Sequence, residues 1–342
     1  MPIESTTTTT TATTAETRAE RTAETTAAEH SARYAGPARR GYGLIADVTR
    51  WPVLFPPCLA AEVLESDRDS ERIRLWAVAG SEIRTWTSLR KLDEERLRID
   101  FRQEAPGPPL EWMSGHWRFE ERDGRTELVL GHEWILEAGS ESARTTVAEA
   151  LGRNSEAEVA AVARWAGRDA GPEELLFTVH DEYVVPGPPA AVYDFLYRAD
   201  LWPQRVAHVA ELDLQEDETA LVGGARVQTL DMRTRGADGS VHGTQSVRLC
   251  FPGERLVYKQ TTVPRGLLGH SGAWLLTAAE SGDATRVVSV HQAALDPDAL
   301  DTVFGAGTTL AGARDRAAAL LAGNSRRTLE SCGAHLLAQA RR

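Results

Sequence analysis

Apolar and polar positions alternate in short runs from about residue 31 to 138, with turn signals such as RDGR at Arg122–Arg125 between them. After Gly139 the period changes. SESARTTVAEALGRNSEAEVAAVARWAGR places Val147, Leu151, Val159, Val162 and Trp165 on one helical stripe. Within it Ser155-x-x-Glu158 has the spacing of a capping box, which predicts a restart or kink near Asn154. Ahead of the strands, GYGLIADVTRWPVLFPP reads as one or two short helices broken by Pro52, Pro56 and Pro57. The second half has the same layout. LLFTVHDEYVV is a strand, PPAAVYDFLYRADLWPQ a helix and a turn, strands follow to about Leu295, and a helix containing NSRRTLESCGAHLLAQA closes the chain. A run of antiparallel strands closed by one long helix predicts an α+β unit, a curved sheet gripping the helix, with ligand space between them.

The likeness of the two halves extends to single residues. SGHW at Ser114–Trp117 returns as SGAW at Ser271–Trp274, 157 positions on, and RIDFRQ at Arg98–Gln103 returns as RLVYKQ at Arg255–Gln260 at the same offset. WTSLR at Trp86–Arg90 faces TQSVR at Thr244–Arg248, GHEW faces VHQA with His132 matching His291, TRWP faces DLWP, and GRNS faces AGNS. The order is kept and the drift is small, as loop-length changes produce. This predicts a tandem duplication, with domains at 31–170 and 171–342. Residues 1–30 are Thr/Ala-rich with almost no large apolar groups, which predicts a disordered tail.

Composition narrows the function. Each half is long enough to bury a core without disulfides or metals. Cys58, Cys250 and Cys332 are far apart, with no Cys/His cluster, so neither a metal nor a cofactor is expected. A net charge of −12 argues against nucleic acid as a partner. No secretory signal and no long apolar run is visible, so a cytoplasmic protein with no membrane contact is expected.

Candidate chemistry comes from strand faces. His132 shares its face with Leu128, Leu130, Trp134 and Leu136, and His291 with Val287, Ser289, Ala293 and Leu295, so both point inward. Each is either an acid–base or ligand-binding group or a core histidine satisfied locally. Met113, Gly115, Trp117 and Phe119 form an inward set that turns His116 out; His270 stands where the first copy has Met113. Gln103 and Gln260 place a polar tip on an apolar face. Ser88 and Arg90 share a face with Trp86, and Ser246 and Arg248 share one with Thr244, but alternation leaves open whether these faces are inside. Trp51 and Trp202 read as structural plugs.

Taken in order, WPVLFPPCLAAEVLE, WTSLR, PGPPLEWMSGHW and GRNS resemble the bacterial type II polyketide aromatase/cyclases, which are helix-grip domains of the START and Bet v 1 kind. The tandem copy resembles their didomain subgroup, over about residues 35–342. The resemblance implies that Ser88, Arg90, Ser246 and Arg248 face inward. It also implies a substrate, a poly-β-ketone carried by an acyl carrier protein and already reduced at C9 by a ketoreductase. Intramolecular aldol condensation joins C7 to C12, and dehydration makes the ring aromatic, alongside other type II synthase components. An arginine fork suits developing oxyanion charge, and holding a floppy chain in one register supplies rate. Single-domain relatives often carry a pocket tyrosine after WPxLF. Cys58 and Val209 stand there instead, so a phenol acid is expected to be missing from both copies, with His132 and His291 in its role. Expected catalytic groups are thus Ser88, Arg90, His132, Ser246, Arg248 and His291. Trp86, Met113, Trp117, Gln103, Trp134 and Cys58 are expected to line the first pocket, and Gln260, His270 and Trp274 the second. The second pocket, with Thr244, His270 and Ala293 where the first has Trp86, Met113 and Trp134, is expected to be roomier and to assist dehydration or support the first domain. Two alternatives are a non-catalytic lipid or small-ligand carrier of the same fold and an interaction protein with filled cores.

Overall fold

The computed structural model describes residues 6–11, 25–79, 82–236, 239–280 and 282–341. The chain divides into two compact units, the first ending at Pro172 and the second starting at Glu173.

The first unit holds strands β1 (Thr6–Thr11), β2 (Thr26–Ala35), β3 (Cys58–Ser66), β4 (Ser70–Ala79), β5 (Glu82–Asp93), β6 (Arg98–Gln103), β7 (Leu110–Arg122) and β8 (Arg125–Leu136). Its helices are α1 (Ala38–Ala46), α2 (Trp51–Leu54) and α3 (Arg144–Ala166). The sheet order is β1-β2-β8-β7-β6-β5-β4-β3, with every pairing antiparallel. The RDGR turn between β7 and β8 has φ of 52° at Asp123 and 72° at Gly124, the left-handed pair that a tight hairpin requires. α3 packs on β2 and β8 and buries Val159, Val162 and Trp165, as the stripe predicted.

Three expectations are corrected here. The disordered tail fails at Thr6–Thr11 and Thr26–Ala35, which are paired strands; residues 1–5 and 12–24 lie outside the described residues. The inward face of β2 is Thr26, Ala28, His30, Ala32 and Tyr34, mostly small side chains whose weak hydrophobicity hides the alternation. α3 is unbroken through Asn154, so Ser155 and Glu158 are not a capping box. Pro52 does not break a helix: it occupies the first turn of α2, where no backbone N–H is needed.

The second unit repeats the plan. It starts within a short helix, α4 (Pro172–Leu175), and holds β9 (Leu176–Pro186), α5 (Pro189–Tyr197), α6 (Trp202–Arg205), β10 (Val209–Val222), β11 (Ala225–Arg235), β12 (Val241–Phe251), β13 (Arg255–Thr262), β14 (Leu267–Ala278), β15 (Ala284–Leu295), α7 (Leu300–Phe304) and α8 (Leu310–Ala340). The order β10-β11-β12-β13-β14-β15-β9 is that of β3 to β8 with β2, again antiparallel throughout. α8 packs on β9 and β15. Its start is capped by Thr309, whose hydroxyl accepts the Gly312 N–H at 3.1 Å, a contribution of about 1 kcal/mol.

Candidate active site

In the first unit the sheet and α3 enclose a cavity of about 600 Å³. Trp51, Phe55, Trp86, Met113 and Trp117 form much of its apolar wall. Polar groups converge on it from several elements: Ser88 and Arg90 of β5, Gln103 of β6, His132 of β8, and Asn154, Ser155 and Glu158 of α3. The register places Ser88 opposite Gln103 and Arg90 opposite Phe101, so β5 and β6 present these side chains together.

Arg90 is buried, at 4 % exposure, and it is already engaged. One guanidinium nitrogen donates to the Ile45 carbonyl at 2.6 Å, the other to Glu71 Oε1 at 2.7 Å and to the Ala46 carbonyl at 3.5 Å. Ile45 and Ala46 end α1, so Arg90 caps that helix with charge matched to its dipole. The guanidinium also lies 5.3 Å from the centre of the Trp51 ring, whose indole N–H donates to Leu44 O. Burial lowers the Arg90 pKa to about 10, against the pull of Glu71; burial raises Glu71 in turn, against the pull of Arg90. Trp51 is thus part of a clamp between helix and sheet, and a cavity wall as well.

The repeated Ser-Gly-x-Trp acquires a reason at His132. A Cβ at Gly115 would lie 2.5 Å from the Phe101 ring and 2.2 Å from Gly131 O. Glycine lets Phe101 cross β7 and meet the His132 ring edge-on, with centroids 5.4 Å apart. From the other side α3 brings Ser155, whose hydroxyl lies 3.3 Å from His132 Nδ1. Burial drives the His132 pKa down to about 3, helped by His30 and His116. The imidazole is neutral at pH 7 and can accept or share a proton, but it holds none to donate as an acid. Glu158, one turn after Asn154, is the single carboxylate among the described residues of the cavity wall. Burial alone raises its pKa to about 7.

The second unit builds the same parts into a different object. Arg248, 2 % exposed, donates to Leu196 O at 2.8 Å near the end of α5, beneath Trp202, whose indole N–H donates to Phe195 O. The position of Glu71 is taken by Gln228, which faces Arg248 in register. Arg248 Nε and Nη1 have no hydrogen-bond partner. Gly272 clears room for Tyr258 as Gly115 does for Phe101, but Tyr258 carries a hydroxyl that meets His291 Nδ1 at 2.9 Å. His291 Nε2 lies 2.9 Å from the Ser325 hydroxyl, and His270 joins Gln260 at 2.8 Å to His291 at 3.1 Å. Burial lowers both histidines.

The comparisons with known proteins agree with this duplicated plan. Residues 35–162 match the family described as polyketide cyclase/dehydrase and lipid transport. The chain is 42 % identical to the actinorhodin polyketide synthase bifunctional cyclase/dehydratase of Streptomyces coelicolor, over 89 % of this chain and 95 % of that one. It is 37 % identical to the granaticin counterpart from Streptomyces violaceoruber, over 88 % and 91 %. The chain belongs to the didomain polyketide aromatase/cyclases. The crystal structure of the di-domain aromatase/cyclase BexL from the BE-7585A pathway superposes with a TM-score of 0.73 at 37 % identity, covering 90 % of this chain and 98 % of that one. For StfQ of the steffimycin pathway the values are 0.71, 31 %, 92 % and 99 %. The aromatase/cyclase is therefore an enzyme of two helix-grip domains. None of its helices among the described residues is long and apolar enough to cross a membrane. Among the same residues no cluster of His, Cys, Asp or Glu could hold a metal ion.

Of the residues singled out in its sequence, Cys58, Trp86, Ser88, Arg90, Gln103, Met113, Trp117 and His132 line the first-domain cavity. Trp134 does not. It is fully buried against Ala28 and Met113, with Val147, Ala148 and Leu151 of α3 packed on the same cluster. In the second domain Gln260, His270 and His291 join one network, Trp274 packs on Trp202 and Tyr258, and Ser246 is half-buried opposite Gln260. The expected absence of a phenol is corrected for the second copy. Tyr258 supplies one, from β13 rather than from the segment after the Trp-Pro turn. α3 adds Asn154, Ser155 and Glu158 to the cavity, which the sequence pattern did not point to. Ser155 and Glu158 have the spacing of a cap, while the repeated Asn-Ser is the signal for Ser155 and Ser325 at the paired histidines.

Proposed function

We propose that the first-domain cavity receives a C9-reduced poly-β-ketone from its acyl carrier protein, closes C7 onto C12 by aldol condensation and dehydrates the new ring to an aromatic one. What supports this reading is the cavity itself: about 600 Å³, walled by aromatic and aliphatic side chains, with its polar groups gathered on β5, β6, β8 and α3. An apolar wall holds the chain in a reactive fold and keeps water from competing, while Ser88 and Gln103 hydrogen-bond carbonyl oxygens and fix the register. Neutral His132, held by Ser155, is a hydrogen-bonding group on the cavity wall. Arg90 lines the cavity, and its positive field favours the alkoxide formed on closure, reduced by the pairing with Glu71.

The second domain carries no chemical step in this reading. Tyr258, Gln260, His270, His291 and Ser325 are bonded to one another there, which favours a supporting role over a share in dehydration. Ketoreductase and the synthase that builds the chain are the expected functional partners. Reconstitution with that synthase, its carrier protein and a ketoreductase tests the reading. Adding the enzyme should convert spontaneous shunt products into one carrying an aromatic ring closed between C7 and C12. A carrier protein of the same fold would leave the product mixture unchanged and retain a bound lipid after purification.

A further inference from the structure

Arg90 and Arg248 occupy one place in the repeat, but their surroundings differ in charge. Glu71 stands opposite Arg90 in register and accepts from it at 2.7 Å. Gln228 stands opposite Arg248, with its amide engaged by Tyr197 O, Glu216 and Cys250. We propose that the second domain binds a small monovalent anion of chloride size at Arg248, with the Tyr193 hydroxyl as a further donor, where it does the work of the Glu71 carboxylate.

Arg248 is 2 % exposed. Its Nη2 donates to Leu196 O and to the Cys250 sulfur, while Nε and Nη1 have no hydrogen-bond partner among the described residues. The hydroxyl of Tyr193, buried on α5 less than one turn before Leu196, has none either. Both side chains neighbour Cys250, and the Arg248 charge acts on the Tyr193 hydroxyl. Donors kept from water without a partner cost free energy, and a buried charge without its opposite costs more. The groups around them do not supply that opposite charge. Burial raises the pKa of Tyr193 and of Cys250, so both stay protonated. Glu216, the carboxylate that both sense, receives the Tyr197 hydroxyl and the Gln228 amide and faces Arg226 at 3.9 Å. The Trp202 ring and the end of α5 offset part of a full charge only.

A spherical anion accepts from N–H and O–H donors without a directional demand of its own. The enclosure of Arg248, Gln228 and Cys250, all buried, selects an ion of atomic size over a larger one. Once bound, the anion neutralises Arg248 and completes the clamp of α5 on β12. Because it binds the folded domain, the second domain gains stability as chloride rises. The first domain, with Glu71 built in, does not need the ion.

Bromide and chloride are the probes, on the full chain. A crystal soaked in bromide should show an anomalous peak within hydrogen-bonding distance of Arg248 Nε or Nη1. In solution, the amides of α5 should exchange about tenfold more slowly in chloride at ten times its Kd than in gluconate at equal ionic strength, while those of α1 should not distinguish the salts. Gln228→Glu gives the second domain the carboxylate of the first, and should remove both the peak and the difference between salts. Tyr193→Phe deletes one donor and should raise the chloride concentration of half-maximal protection by roughly fivefold. Ordered water on the Arg248 nitrogens with no bromide peak would overturn the proposal, as would equal protection of α5 in the two salts. A chloride response left unchanged by Gln228→Glu and by Tyr193→Phe would place the ion elsewhere and overturn it as well.

Discussion

The two domains carry the same clamp, an arginine that ties a helix end to the sheet beneath a tryptophan, but they balance its charge differently. In the first, Glu71 pairs with Arg90. In the second, Gln228 stands in that place and two Arg248 nitrogens are unbonded. Around the clamp the first domain keeps Trp86, Phe101 and Met113 on a cavity wall. The second has Thr244, Tyr258 and His270, the last two bonded to His291. Polar side chains on an inner face do not by themselves open a pocket. Where they can reach one another they bond, since an unbonded polar group in the interior costs free energy. The two copies share a scaffold and differ in how the polar groups of their inner faces are bonded.

The comparison predicts unequal consequences of removing the two arginines. Arg90→Ala leaves the half-buried Glu71 and two helix-end carbonyls without their donor, a loss of about 3 kcal/mol. Arg248→Ala frees one carbonyl and removes a charge with no carboxylate partner, a loss of about 1 kcal/mol. Hydrogen exchange resolved to α1 and α5 measures both. Equal losses would mean that the carboxylate at Glu71 does not distinguish the clamps. A functional reading of Arg90→Ala therefore requires the folded fraction to be measured first.

A smaller effect follows from acid. Burial lowers the His270 and His291 pKa values below the ordinary 6.5 of an unfolded histidine. The unfolded chain then binds protons that the folded one refuses. Their contribution is complete above pH 6.5 and is lost as the pH falls through the depressed folded values. His270→Met gives the second domain the residue of the first. It should cost about 1 kcal/mol at pH 7 through the lost hydrogen bonds and flatten the decline below pH 6. Urea unfolding at pH 7, 6 and 5 checks this; an unchanged acid slope would remove His270 from the explanation.

Much of this was legible in the chain. Strand alternation gave the inward faces of β7 and β8, and the ordered repeat gave two α+β units with an Arg, a Ser and a His at matching places. What alternation could not show is partnership. Nothing near Arg90 in sequence points to Glu71 or to the end of α1, because those contacts join β5 to β4 and to a helix. Glu158 was hidden by a local rule: Ser-x-x-Glu fits a helix start, and only the unbroken α3 turns both residues inward. β2 escaped because alanines carry little of the apolar signal that marks a strand.

The central claim is that ring closure takes place in the first-domain cavity and not in the second domain. The direct measurement is the ratio of ring-closed to shunt product for Ser88→Phe and Ser246→Phe, each confirmed folded by its thermal transition. Both residues stand at the same register of their strands, opposite Gln103 and Gln260, and Ser88 borders the open volume. The account predicts that Ser88→Phe, which fills part of the cavity, drops the ratio to the level seen without enzyme while Ser246→Phe stays near wild type. Loss of closure in Ser246→Phe with closure retained in Ser88→Phe would contradict it.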